Sequence, residues 1–100
     1  MNRFSVELAP GAEADIREAF AWYRERNALI AEAFRAEVFD SIDRIVEAPL
    51  ARPADEGGIR KRVLRRFPYS VIYEIQAGTA TVLAVAHHRR RPGYWATTKG

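Results

Sequence analysis

Hydrophobic and polar positions alternate first with a period of two, then near 3.6, then two again. In RFSVEL, residues 3–8, Phe4, Val6 and Leu8 fall on one side and Ser5 and Glu7 on the other, which predicts a half-buried strand. Pro10-Gly11 ends it. From Ala12 to about Arg26, the apolar set Ile16, Ala19, Phe20 and Tyr23 follows helical spacing, with Glu13 four residues before Arg17. Pro10 fits the first turn of that helix, where its missing N–H costs little, and Glu13 and Asp15 suit the positive end of the dipole. Asn27 interrupts the pattern. A second helix is predicted from about Leu29 to Ala48, with Ile30, Phe34, Val38, Ile42 and Ile45 on one stripe. Pro49 stops it, because the residue before a proline is pushed away from helical dihedrals. Two helices joined by so short a loop form an antiparallel hairpin.

After the Pro- and Gly-rich loop PLARPADEGG the period returns to two. IRKRVLRR places Ile59, Lys61 and Val63 against Arg60, Arg62 and Leu64. YSVIYEI is β-branched and aromatic and follows Pro68, which suits a strand start. TATVLAVAH follows a turn at Ala77-Gly78, and its near-continuous apolar content predicts a strand covered on both faces and central in the sheet. The order of strand, two helices and three strands predicts an α+β domain, a mostly antiparallel sheet with the helical hairpin on one face. The first strand pairs with one of the later three, and the pattern leaves open which.

Length and charge add to this picture. One hundred residues make one domain, with a thin core that buries about two-thirds of the unfolded surface. Residues 1–56 carry seven arginines against twelve acids, a net of −5. Residues 57–100 carry nine basic residues against Glu74 alone, a net of +8. The basic half should attract an anion, either nucleic acid or an acidic protein segment; mutual neutralisation across the fold is the ordinary alternative. Cysteine is absent, which rules out disulfides, a thiol nucleophile and cysteine metal sites. The start lacks the apolar core of a signal peptide and no stretch reaches membrane-spanning length, so a cytoplasmic protein with no membrane partner is expected.

Several segments carry a family resemblance. DIREAFAWY, AFRAEVFDSIDRIVEAP, GIRKRVLRRFPYSVIYEI and VLAVAHHRRRPGYW, in this order from about Phe4 to Trp95, resemble the RelE/ParE toxin superfamily of plasmid-stabilisation proteins. The resemblance implies a type II toxin that inhibits growth and is silenced by a cognate protein antitoxin. The superfamily has two main branches, ParE-like poisons of DNA gyrase and ribosome-dependent mRNA endonucleases similar to RelE and YoeB. The segment RRFPYSVIY is similar to the gyrase-poisoning branch. Ser70 stands where YoeB-like ribonucleases place an arginine, and Lys61 is the lone counterpart of the RelE lysine cluster. A ParE-like toxin acting on gyrase is therefore expected, with the mRNA endonuclease as the alternative and a decayed toxin that retains antitoxin binding behind both.

RNA cleavage by 2′-hydroxyl attack needs a base, an acid and cations around the phosphorane-like charge. The candidates are His87, His88, Arg60, Arg90 and Tyr94, with Arg65 or Arg66 as substitutes for the missing arginine. By strict alternation His87 follows Leu83 and Val85, and His88 follows Val82, Ala84 and Ala86, so one histidine faces the helices and the other the open face. Adjacent histidines on opposite faces make a poor chelate, so no metal and no cofactor are expected. Gly57-Gly58 lacks the spacing of a phosphate loop, and no serine triad stands out. The strip HHRRRPGYW combines arginine with aromatic residues, which are favoured interface anchors. Arg62, Arg65, Arg66, Arg89, Arg90, Arg91 and Trp95 are accordingly the candidates for binding an acidic antitoxin segment. Trp22 and Tyr23 are expected to be partly core.

Overall fold

The structure is a computed structural model and describes residues 4–89. Its elements are β1 (Ser5–Leu8), α1 (Pro10–Arg24), α2 (Ala28–Glu47), β2 (Ile59–Val63), β3 (Tyr69–Gln76) and β4 (Thr79–His87). The sheet runs β1-β4-β3-β2, with β1 parallel to β4 and the other two pairs antiparallel. The N-terminal strand therefore finds its partner in the last strand, and β4 is an inner strand, as its apolar run predicts.

Local chemistry explains most boundaries. Pro10 opens α1, where no intrahelical N–H is required. Asn27 caps α2 by accepting the N–H groups of Leu29 and Ile30 at 2.9 and 3.3 Å, so the residue that breaks the first helix starts the second. Ala77 (φ 49°) and Gly78 (φ 79°) both sit in the left-handed region, as a two-residue hairpin turn between β3 and β4 requires. The strand predicted over IRKRVLRR is shorter than expected, because residues 64–68 turn away and β2 ends at Val63.

The core lies between the hairpin and one face of the sheet. Phe34, Val38 and Ile45 of α2 meet Val71, Tyr73, Val82 and Val85, all nearly inaccessible to solvent. Aromatic rings close one end: Tyr23 and Phe34 pack 5.4 Å apart, and Phe34 meets Phe67 at 5.4 Å and Tyr69 at 5.0 Å between ring centres. The far face has a smaller cluster of Ile72, Ala84 and Ala86, with Ile59 packed on it.

Strict alternation fails at one point in β4. Tyr73 pairs with Val82 and Ile72 with Ala84, so Leu83 is an extra residue opposite the junction. A bulge of this kind shifts the facing of everything beyond it. Val82 and Val85, three residues apart, both join the core under the helices, whereas alternation groups Val82 with Ala84 and Ala86. His87 follows Val85 onto the helix side and His88 goes to the opposite side.

Candidate functional site

Where β4 ends beside the start of β3, α1 and the sheet diverge into an open groove of about 660 Å³. Its walls are Asp15, Glu18, Ala19, Trp22 and Tyr23 of α1, and Pro68, Tyr69, Val85, His87 and Arg89 from the sheet side. One wall carries carboxylates and an exposed tryptophan, and the other a histidine and an arginine. The floor is the aromatic end of the core: the His87 ring meets Tyr69 edge-on at 5.0 Å, and Tyr69 lies 6.4 Å from Tyr23.

Each wall is held by specific bonds. β1 stops at Leu8, opposite Val82, which leaves the next inward amide of β4 without a strand partner. Asp15 fills that place by accepting the Val85 N–H at 2.9 Å; a buried amide left unpaired would cost about 1–3 kcal/mol. Trp22 is half exposed and meets Tyr23 edge-on at 5.1 Å. The Arg26 guanidinium lies 3.7 Å above the indole and donates to the Trp22 carbonyl at 2.7 Å. His87 Nδ1 accepts the Arg89 N–H at 3.0 Å, so in the neutral ring the proton sits on Nε2. Burial raises the pKa of Tyr23, with a smaller opposing effect from the Tyr69 hydroxyl, and raises that of Tyr69, reinforced by Tyr23 and Asp15. Both phenols are neutral at physiological pH and neither supplies a ready phenolate base.

The remaining sequence candidates lie elsewhere. His88 is past the bulge on the other face, with Nε2 3.2 Å from Ser70 Oγ and its N–H on the Pro68 carbonyl. Arg60 sits opposite Tyr73, and His87 opposite Tyr69. That separates them by four residues along β3 and by two strands across it, about 13 Å and about 10 Å respectively. The Arg60 guanidinium is engaged with the Arg52 carbonyl. Arg65 and Arg66 occupy the turn after β2, where Glu37 of α2 accepts both backbone N–H groups and the Arg66 Nε. Burial alone would raise the Glu37 pKa, but these backbone and guanidinium bonds outweigh it and hold the carboxyl below its usual value. Arg62 shares the helix-facing side of β2 with Arg60. Arg90, Arg91, Tyr94 and Trp95 lie outside the described residues.

Sequence reasoning passed over the α1 wall. Asp15 reads as a helix-dipole residue and Glu18 as a solvated acid until the fold sets them opposite His87 and Arg89. The signal that existed was Trp22 with Arg26 four residues on, a spacing that stacks a cation on an aromatic ring. Among the described residues, no group of three histidine or acidic side chains could hold a metal ion, and no helix is long and apolar enough to cross a membrane.

Comparison with known proteins gives this geometry its context. Residues 6–92 match the family described as "ParE toxin of type II toxin-antitoxin system, parDE". The chain belongs to the ParE toxin family. The fold is similar to a solved chain of the "Chromosomal ParDE TA system from P. aeruginosa", with a TM-score of 0.74 and 17% identity over 84% of this chain and 95% of that one. No curated protein matches. Membership makes this ParE-family chain the toxin component of a type II toxin–antitoxin system and implies an antitoxin partner. Two α-helices and four strands among the described residues supply the family fold, and the groove beside His87 opens where α1 and β4 diverge.

Proposed function

We propose that this ParE-family toxin arrests growth by binding DNA gyrase rather than by cutting RNA, and that an acidic segment of its antitoxin silences it through the basic half of the chain. The observation that carries the reading is the dispersal of the candidate cleavage residues. His87 faces the helices, His88 is across the sheet on Ser70, and Arg60 is two strands away on the Arg52 carbonyl. General acid–base cleavage needs its groups within hydrogen-bond reach of one phosphodiester, whereas binding a large protein target needs an anchor-rich surface. The groove offers that surface, with Trp22, Tyr69, His87 and Arg89 around one opening. An extended antitoxin strand on a free sheet edge would supply main-chain pairing, with arginines selecting acidic side chains.

A supercoiling assay with purified gyrase and toxin tests the reading. Micromolar toxin is expected to block supercoiling, and addition of the antitoxin to restore it. Full supercoiling activity in an assay whose toxin still arrests growth in cells, accompanied by codon-linked transcript ends, would establish the endonuclease reading instead.

A further inference from the structure

On the opposite side of the helical layer, between α2 and β2, lies a smaller recess of about 210 Å³. It is lined by Glu37, Asp40, Ser41, Arg44, Arg52, Arg62, Val63, Leu64 and Arg65. Its charges are unevenly satisfied. Glu37 is occupied by the turn at Arg65 and Arg66, and Asp40 by Arg44 at 3.0 Å. The guanidinium groups of Arg52, Arg62 and Arg65 carry no acid partner among the described residues. At its inner wall Ser41 is 5% exposed, and its hydroxyl has no hydrogen-bond partner. Arg60, one turn of the pleat away, likewise buries an unpartnered Nε. A buried hydroxyl without a partner is rare enough to require an explanation, and clustered guanidinium groups without an anion repel one another.

We propose that this recess is an oxyanion subsite that takes a side-chain carboxylate of an acidic protein segment, with Arg62, Arg52 and Arg65 supplying the charge and the Ser41 hydroxyl, which lies just beneath the surface of the recess, rotating about χ1 to donate at the floor. The proposal rests on the reading of the basic half as an antitoxin-binding surface and gives that surface a specific seat. The position of the arginines supports it. Arg60 and Arg62 project from an edge strand to the helix side, so a segment running along β2 would bring alternate side chains to this lip. Arg52 and Arg62 both line the recess, and the Arg60 guanidinium reaches the Arg52 carbonyl beside it. Guanidinium groups bind carboxylates through paired N–H donors, and such charge-assisted bonds are about twice as strong as neutral ones.

A carboxylate is favoured over a nucleic-acid phosphate by what surrounds the recess. α2 sets the carboxylates of Glu37 and Asp40 in the lining itself. A duplex, with one charge about every 1.7 Å, would set a line of phosphates against those acids. A single side chain brings one charge to the arginines and leaves the helix face alone.

The test is an amide-detected NMR titration of the full toxin with an acetylated, amidated tetra-glutamate peptide at low and high salt. Binding is expected to shift the signals of Ser41, Arg62 and Arg65, to weaken with salt, and to fall about tenfold or more in Arg62→Gln and Ser41→Val. Arg17→Gln, on an exposed position of α1, should bind as the parent does. Arg62→Gln alters an edge position and keeps the test valid if Ser41→Val fails to fold. Unchanged affinity in folded Arg62→Gln, or shifts confined to the Arg89 side, would overturn the subsite. Shifts at Ser41 and Arg62 produced by a short DNA duplex at lower concentration than the peptide would overturn the choice of carboxylate. Gyrase inhibition without peptide shifts rejects the subsite and leaves the toxin reading standing; peptide shifts without gyrase inhibition do the reverse.

Discussion

The two helices meet the sheet in different ways. α1 packs over β4 and opens onto a wide groove in which acids, histidine, arginine and aromatic rings face one another. α2 packs over β3 and leaves a recess beside β2, where arginines gather with their nearest acids already engaged. The first surface is held open by a packed aromatic floor, and the second by hydrogen bonds to charged groups. Salt and pH should therefore act mainly on the second. A helix that contributes one carboxylate to the sheet appears on both sides, Asp15 in the first case and Glu37 in the second, yet the partners differ. Asp15 completes a strand that ran out of neighbours, while Glu37 ties down a turn between two strands.

The largest expected effect is on the aromatic side. Phe34 is fully buried and touches Tyr23, Phe67 and Tyr69, so Phe34→Ala should destabilise the fold by about 3–5 kcal/mol. Chemical denaturation at low and high salt should give the same loss; strong salt dependence would show that the floor is not held by packing. The arginine side comes next. Glu37→Gln should cost about 1–3 kcal/mol, because a charged acceptor for two backbone amides and a guanidinium is removed.

The sign of the pH effect at Glu37 is fixed by its lowered pKa. Its contribution is present above the unfolded-state value, about 4.3, and is lost as pH falls through the lower folded value. The stability gap between the parent and Glu37→Gln should therefore be widest near neutrality and close in acid. A gap that stays constant from neutral pH into strong acid would remove Glu37 as the charged clasp of the turn.

Asp15→Ala should have a smaller effect, about 1–2 kcal/mol, with faster hydrogen exchange at the Val85 amide; Asp15→Asn keeps an acceptor oxygen and should recover much of the loss. Unaltered exchange in Asp15→Ala would mean that Val85 does not depend on α1. The smallest change lies away from both surfaces. Ala77 holds a left-handed φ of 49°, a conformation that asparagine tolerates and alanine does not favour. Ala77→Asn should raise stability by about 1 kcal/mol without altering either surface, and a drop in melting temperature would contradict the assigned turn.

Much of this fold was legible in the chain because its signals are local. The helical stripe of Phe34, Val38, Ile42 and Ile45 (Ile30, expected on it, is exposed at the start of α2), the breaker Asn27, and the apolar run of β4 each depend on neighbours a few residues away. The candidate site was less legible. His87 and His88 could be assigned to opposite faces by alternation, but choosing between the faces required the bulge at Leu83, which inserts one residue without any glycine or proline to announce it. The arginines of β2 alternate cleanly with Ile59, Lys61 and Val63, and ordinary patterning would send the charged set to solvent. The fold sends Arg60 and Arg62 to the helix side instead, because β2 is an edge strand and α2 does not extend over it fully. The unpartnered Ser41 hydroxyl could not be foreseen either, since a serine on a helix stripe reads as a small core residue.

The sequence by itself determined the order and type of the elements, the separation of an acidic from a basic half, and the segments that carry the family likeness, since periodicity, breakers and charge are written along the chain. Tertiary structure decided which residues meet. It paired β1 with β4 in parallel, set Asp15 on the Val85 amide seventy residues away, separated His87 from Arg60, and gathered Arg52, Arg62 and Arg65 around Ser41. Those outcomes rest on strand register and helix packing, which are settled only when distant segments compete for the same buried surface.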